Sequence, residues 1–553
     1  MVKGASSTQL ITNNCLFFNA DISLRGNTNL FFFIDYLLIK IGSVILFTGN
    51  YTDFNSSFIG NRNVTGGGAC YFISFVQSYF FSSKFYFNYA SIQGGAIGLT
   101  QQCFAYVENV LFAECSAEKG GAMMLTEESS VIVNSSTFIN NFADEGGLFF
   151  SLENYNSNIT IINSIFENNY GDQNLFSAMD SNLQIYDSQF SNNENVVFSL
   201  TRSTLLLNGI NISNHSCYSQ SVGCIINSLQ ASIIVDNLFL DTITNTEEEG
   251  GIYLETSSAI FSNLQFQFLK SSNNVGNCFD LLNSSLNIDN GNFFTYDQNC
   301  IAGTNSTLVI NNTIFNNVNS VHYQSESSFE LSYGTIFCQS CLQFILTSSF
   351  LMLNRLGDLG GGVGLISNVM DFNISAQFYN VSFVGNEVFE QGGSVYLSNV
   401  QSSFNYCNFV QNKADQGAAI YFFSLGINKI NYCKTYDFFL ESLQKNLLLT
   451  GNTFNNNVAD SEGGAIKWIE VEPIIDSDNI FTNNSASYGP INAGFPFRIE
   501  MEFTSLSQTI CLNESNSCYP QIMDISSGSS LNFTLSFLIK DIYNTTVTSL
   551  NSG

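Results

Sequence analysis

The sequence predicts an all-β protein wound as a parallel β-helix, a solenoid of about 26 residues per coil, with a short β-rich C-terminal tail. Three observations predict it. One phrase recurs: FINNFADEGGLFF at Phe138–Phe150, FVQNKADQGAAIYF at Phe409–Phe422, FNNNVADSEGGAIKW at Phe454–Trp468, and FTNNSASYGP at Phe481–Pro490 begins the same way. Its markers keep their spacing: Gly94, Gly120 and Gly146 stand 26 apart, Phe112 and Phe138 also 26, and Phe454 and Phe481 27. The segments between are short alternating runs, such as Ser130–Asn134, Leu183–Tyr186 and Leu308–Asn311. They are too short, and too rich in Asn, Ser and Gly, for a helical stripe of period 3.6.

Each part of the phrase then has an expected role. Three short strands and three bends fill one coil. Phe138, Phe166, Phe190, Phe454 and Phe481 point inward and stack from coil to coil, about 4.8 Å apart. Asn140, Asn168, Asn192, Asn456 and Asn483, two residues after each Phe, sit at a bend, where an amide tolerates a left-handed backbone and can bond along the stack. Ala143, Ala414, Ala459 and Ala486 suit a crowded inward corner, and Gly146, Gly147, Gly463 and Gly464 mark corners where a Cβ is costly. Residues 1–490 are expected to form the β-helix, with room for about eighteen coils and a rod roughly 85 Å long. Interruptions near 320–380 and 425–450 disturb the register. Residues 491–553, with longer runs such as Leu531–Ile539, are expected to begin a β-sandwich module or to cap the last coil.

Composition bounds function. Against 45 Asp and Glu there are 16 Lys and Arg, a formal charge of −29, which excludes nucleic acid and an anionic membrane surface as partners. The 53 Phe call for a continuous core. Of the 14 Cys, Cys217 with Cys224 and Cys511 with Cys518 are spaced for local disulfides, and Cys407 and Cys433 are one period apart, placed to stack or bridge. Cys338 and Cys341 form a lone CxxC with no partner set for zinc. These spacings, with sequons such as Asn55, Asn211, Asn373 and Asn532, suit a glycosylated chain in an oxidising compartment. Leu30–Phe47 is the most apolar window, but Asp35, Lys40 and Gly42 interrupt it, so buried strands are expected rather than a membrane span. No leader is visible at Met1, and a longer parent chain is expected.

The GGAI runs at Gly94–Ile97 and Gly463–Ile466, with FINN at Phe138–Asn141 and FNNN at Phe454–Asn457, resemble the repeats of chlamydial polymorphic outer membrane proteins. They also resemble the β-helix regions of large surface proteins of ciliates, within the pectin-lyase-like superfamily. The resemblance implies a right-handed parallel β-helix at a cell surface or outside the cell. It also implies membrane attachment through segments absent from this chain.

That superfamily includes polysaccharide lyases, which need clustered acidic ligands and a basic residue, and hydrolases, which need a pair of carboxylates. Arg25, Arg62, Arg202, Arg355 and Arg498 are scattered, none beside a clear acidic pair, and His215 and His322 stand alone. His215, within Asn214-His215-Ser216, reads as a solvated turn residue. Glu127-Glu128, Asp144-Glu145, Glu247–Glu249 and Asp460–Glu462 read as a solvated edge rather than calcium ligands. No catalytic, cofactor-binding or metal-binding residue is expected. The chain reads as a non-enzymatic structural or adhesive scaffold with an unknown protein or glycan partner. The alternative is a polysaccharide lyase or glycoside hydrolase of the pectin-lyase-like kind.

Overall fold

The structure, a computed structural model, describes residues 9–18, 20–25, 31–35, 38–39, 42–63, 66–151, 156–218, 223–245, 251–271, 277–296, 300–318, 334–355, 357–367, 375–424 and 446–494. In the tail it describes strands at 498–503, 509–512, 517–520 and 535–540. Short alternating runs become strands whose partners come from the coils before and after. Ser130–Asn134 pairs in parallel with Phe104–Glu108 on one side and with Asn158–Ile162 on the other. Thr137–Ile139 likewise lies between Leu111–Ala113 and Ile165–Glu167. Repeated along the chain, this in-register parallel pairing makes a β-solenoid.

The coil has more corners than expected. Residues 123–146 hold four strands, Met123–Leu125, Ser130–Asn134, Thr137–Ile139 and Phe142–Glu145. The bends fall at Glu127-Glu128, Ser135, Asn140 and Gly146, all left-handed with φ of 49° to 61°. A single left-handed residue turns an extended chain sharply. The bend at Asn140 falls where one was expected, and the corner at Ser135 is the additional one, dividing Ser130–Asn134 from Thr137–Ile139.

The Phe ladder runs without a break from Phe58 to Phe190. Ring centroids of Phe58, Phe85, Phe112, Phe138, Phe166 and Phe190 follow at 4.5 to 4.9 Å, nearly parallel. Ile212 and Leu240 take the position in the next two coils, Phe266, Phe293 and Phe315 resume it, and Leu351 leads to Phe383, Phe409, Phe454 and Phe481. Offset aromatic stacking adds to burial at each step.

The two Asn of the phrase divide the work. The first is the exposed bend residue, as Asn140, Asn168 and Asn192 show with φ of 53° to 54°. The coil-to-coil amide ladder was expected at that position, but it belongs to the second Asn. Asn141 Nδ2 donates to Asn169 Oδ1 at 3.0 Å, and Asn169 Nδ2 to Asn193 Oδ1 at 3.0 Å. The same tier runs Asn354, Asn386, Asn412, Asn457, Asn484. Each amide also caps backbone: Asn169 Oδ1 accepts the Asn141 N–H, and its Nδ2 donates to the Phe138 carbonyl at 2.9 Å. The buried amide is thereby satisfied at both ends, which is what burial of a polar group demands.

The glycine pair also has two jobs. Gly120 takes a left-handed φ of 68°. A Cβ on Gly121 would lie 2.2 Å from the Gly147 carbonyl oxygen of the next coil, so the second position is kept bare by close coil contact. Ala143, Ala414 and Ala459 are buried as expected, whereas Ala486 is half-buried.

Coil length varies with what is looped out. Phe190 is followed in the ladder by Ile212, 22 residues on, but Phe409 by Phe454, 45 on. Cys407 consequently stacks on Asn452, whose Oδ1 accepts the Cys407 N–H at 2.8 Å. The expected stack of Cys407 on Cys433 is corrected, because that coil carries an insertion; Cys433 itself lies outside the described residues. The Leu30–Phe47 window contains strands Phe31–Asp35, Leu38–Ile39 and the start of Gly42–Phe54. No helix among the described residues is long and apolar enough to cross a membrane. In the tail, Arg498–Phe503 pairs antiparallel with Leu535–Lys540, and Thr509–Leu512 with Ser517–Pro520, placing Cys511 opposite Cys518 in register.

Two predictions follow from these contacts. Asn169→Leu would orphan the groups on both neighbouring coils, at about 1–3 kcal/mol for each unsatisfied buried group. Urea unfolding should therefore show a loss of at least about 3 kcal/mol, whereas Asn168→Gly at the exposed left-handed bend should change stability by less than about 1 kcal/mol. The second concerns Asp53, which is fully buried and accepts hydrogen bonds from Thr12 and Ser83. Burial raises its pKa above the ordinary 3.8, although hydroxyl bonds from Ser56, Ser83 and Thr12 oppose the shift. A raised carboxyl is most favourable to folding below its unfolded pKa and loses that contribution as pH rises toward the folded value. Asp53→Asn should thus raise Tm at neutral pH, with the gain shrinking to nothing below about pH 4; a Tm gain that does not shrink on acidification would show that the carboxylate is not responsible.

Candidate functional site

A solenoid wall offers few enclosed sites, and the described surface includes a groove of about 550 Å³ lined by residues of successive coils. Three rows of residues build it, one residue per coil in each. Arg202, Gln230, Thr256, Asn283 and Asn305 form the first, all left-handed with φ of 49° to 55°. This is one of the bend positions of the coil, where the side chain is thrown outward. Next in each coil comes a buried residue: Ser203, Ala231, Ser257, Ser284 and, in the following coil, Ser306. Their hydroxyls bond from coil to coil, Ser257 N–H to Ser284 Oγ at 3.0 Å and Ser284 N–H to Ser306 Oγ at 3.1 Å. The third row opens each following strand: Thr204, Ser232, Ser258, Ser285 and Thr307, in register.

The third row stays polar beyond the groove, through Asn182 and Asn158 on one side and Gln343, Ser375 and Gln401 on the other. Side chains along it already bond to each other: Thr204 Oγ1 donates to Asn182 Oδ1 at 2.6 Å, and Asn182 Nδ2 to Asn158 Oδ1 at 2.9 Å. Two residues further along the same strands, Ile234 and Ile260 are 48% and 47% exposed. Leu342 closes one end of the groove, and Arg202 stands at the other. Arg202 is held by Asp180 in a two-pronged pair, Nε to Oδ1 at 2.8 Å and Nη2 to Oδ2 at 2.9 Å. The arrangement offers hydroxyls and amides at a repeat of about 4.8 Å, with apolar ground beside them. Apart from Arg202 the groove lining carries no ionisable side chain.

Charged groups meet elsewhere. Arg355 Nε lies 3.6 Å and Lys413 Nζ 3.4 Å from opposite carboxylate oxygens of Glu387, across three successive coils. All three are well exposed. Spacing by one average period misses the Arg355–Glu387 pair, because the step from Arg355 to Glu387 is 32 residues. The bend carboxylates read as a solvated edge are partly engaged: Glu145 pairs with Lys119 at 3.1 Å, Glu128 accepts from Gln102 at 2.7 Å, and Glu462 pairs with the buried Lys467. Glu247–Glu249 and His322 lie outside the described residues.

His215 is not a solvated turn residue. It lies near the end of a long strand, Thr204–Cys217, and is fully buried. Its Nε2 lies 2.6 Å from the Asn195 carbonyl oxygen, while Nδ1 has no hydrogen-bond partner. Burial lowers its pKa to about 4, the Asn195 carbonyl opposing, so the ring is neutral at ordinary pH. Beside it is the expected Cys217–Cys224 disulfide. A ring nitrogen of His215 and the two sulfurs lie within 4.8 Å of one another. The seven-residue spacing links Cys217 with Cys224, but His215 joins them only because the left-handed bend at Asn214 turns it to the side that Cys217 faces. Cys338 and Cys341, read as a lone CxxC, are joined as a second disulfide.

No protein-family model matches the chain, and no curated protein matches it. Among solved structures it is similar to a mutant of the PL6-family alginate lyase AlyGC, with 9% identity, 89% of this chain and 95% of that chain covered, and a TM-score of 0.21. The expectation that this chain is not an enzyme is corrected at this point, since the structure it is similar to is an enzyme's. At that TM-score the likeness itself carries no argument about activity. Nothing in the comparisons supports a relation to ciliate or chlamydial surface proteins, nor a membrane, extracellular or glycosylated setting. The chain is a parallel β-solenoid domain.

Proposed function

We propose that this solenoid binds an extended polyhydroxylated chain, a glycan, laid along the axis in the groove between Arg202 and Leu342. The observation that carries the reading is the pair of polar rows, Arg202 to Asn305 and Thr204 to Thr307. Their hydroxyls and amides repeat once per coil and match a polymer with donors and acceptors at every unit. Ile234 and Ile260 supply apolar ground for the C–H faces of sugar rings. With a chain charge of −29 and a single, already paired cation in the groove, electrostatics favour a neutral polymer over a polyuronate. The two disulfides fit an oxidising compartment. The antiparallel tail strands fit a unit distinct from the solenoid.

A second reading, turnover of a polyuronate rather than binding of a neutral chain, is favoured by the Arg355, Glu387 and Lys413 cluster. There a proton-accepting group and two cations meet on adjacent coils. Two exposed cations beside one carboxylate are what abstraction of a proton next to a sugar carboxylate would use.

Isothermal titration against neutral and acidic oligosaccharides tests the first reading. Binding to a neutral oligomer is expected, lost by at least tenfold in Ser258→Trp, an exposed strand position that accepts an aromatic without strain. Absence of binding to every neutral oligomer would overturn it. Release of reducing ends or of ultraviolet-absorbing unsaturated products, abolished in Glu387→Gln, is the outcome expected of the second.

A further inference from the structure

The unpartnered Nδ1 of His215 points to a site beyond the groove. We propose that, when the Cys217–Cys224 disulfide is reduced, His215, Cys217 and Cys224 bind one zinc-class divalent ion within the solenoid wall.

Three independent features carry this. A ring nitrogen of His215 and the sulfurs of Cys217 and Cys224 already lie within 4.8 Å of one another. Donors around a tetrahedral ion with Zn–S of about 2.3 Å and Zn–N of about 2.0 Å are separated by roughly 3.5–3.8 Å, so small side-chain rotations bring them to bonding distance. The imidazole is set as metal-bound imidazoles are set. Its Nε2, 2.6 Å from the Asn195 carbonyl, has only an acceptor before it and must carry the proton. That leaves the Nδ1 lone pair bare, and Nδ1 has no hydrogen-bond partner; a backbone carbonyl fixing the tautomer of a ligating histidine is a usual outer-shell contact. Finally, all three residues are buried, which disfavours unpaired polar atoms and favours their engagement by an ion. Cys217 and Cys224 are joined in this structure, so oxidation state decides between crosslink and ligands.

The chemistry balances. A phosphine or dithiol reductant supplies two electrons to the S–S bond, and two protons complete the thiols. The entering ion displaces those two protons, leaving two thiolates and a neutral imidazole as ligands, with a fourth position for water. Binding therefore releases two protons per ion.

The test uses the full chain reduced with a phosphine, freed of reductant under anaerobic conditions and titrated with Co²⁺. Thiolate-to-cobalt charge-transfer absorption saturating at one equivalent is expected, and none before reduction. The band should vanish in Cys217→Ser and Cys224→Ser, weaken at least tenfold in affinity in His215→Ala, and persist in Cys338→Ser/Cys341→Ser. No band in the reduced wild type, or an undiminished band in His215→Ala or Cys224→Ser, would overturn the site. Should the variants not fold, alkylation of the reduced wild type decides: Zn²⁺ should slow modification of Cys217 and Cys224, and unchanged modification would also overturn it.

Discussion

Everything in this molecule rests on backbone pairing between successive coils in parallel register. Each strand finds its partners not in its own coil but one turn before and one turn after, as when Ser130–Asn134 lies between Phe104–Glu108 and Asn158–Ile162. Register then propagates. Once one Phe sits above another, every residue of the coil is placed above its counterpart, and like side chains collect into tiers. The buried Asn tier locks that register because its geometry has one solution: Asn169 joins Asn141, Asn193 and the Phe138 carbonyl at once. A slip by one residue would orphan these buried groups and turn the Phe ladder outward.

Tolerance follows from the same constraint. The ladder fixes only the strands and the bends that frame them, so length can be added between without disturbing neighbours. Steps of 22 and of 45 residues both preserve the stacked inward position, because extra chain leaves at a corner and returns to it. The Gly pairs mark where this freedom ends. At Gly121 the next coil's backbone passes so near that no side chain fits, whatever the adjoining loop does.

Stacking also sets the kind of surface available for function. A tier of exposed residues presents one chemical group at a regular interval, which suits recognition of a polymer better than enclosure of a small molecule. The groove is the clearest case. Left-handed bends throw Gln230, Thr256, Asn283 and Asn305 outward, while the serines beneath satisfy one another and the backbone. Concentrated chemistry appears where the tiers break down. His215 and the Cys217–Cys224 crosslink occupy a coil in which Ile212 replaces the ladder Phe, and Glu387 gathers two cations where coils of unequal length meet.

The fold was legible because a repeated phrase reports a repeated environment. Phe138, Ala143 and Gly146 each revealed a role through periodic recurrence alone. The two adjacent Asn could not be told apart that way: Asn140 and Asn141 recur together, and only the bend at Asn140 decides which amide turns inward. The strand count failed for the same reason, since a one-residue left-handed corner leaves no mark in a hydrophobic pattern. The polar rows of the groove were invisible because Ser, Thr, Asn and Gln exchange freely along them, so no motif survives. His215 looked solvated among polar neighbours, yet the left-handed bend at Asn214 breaks the alternation after Ile212 and turns it inward. The sequence by itself thus determined the coil, through residues whose size or backbone freedom admits few substitutes. Which side chains meet across coils was decided only by tertiary structure, because looped-out chain sets the true step from one coil to the next and sequence spacing does not measure it.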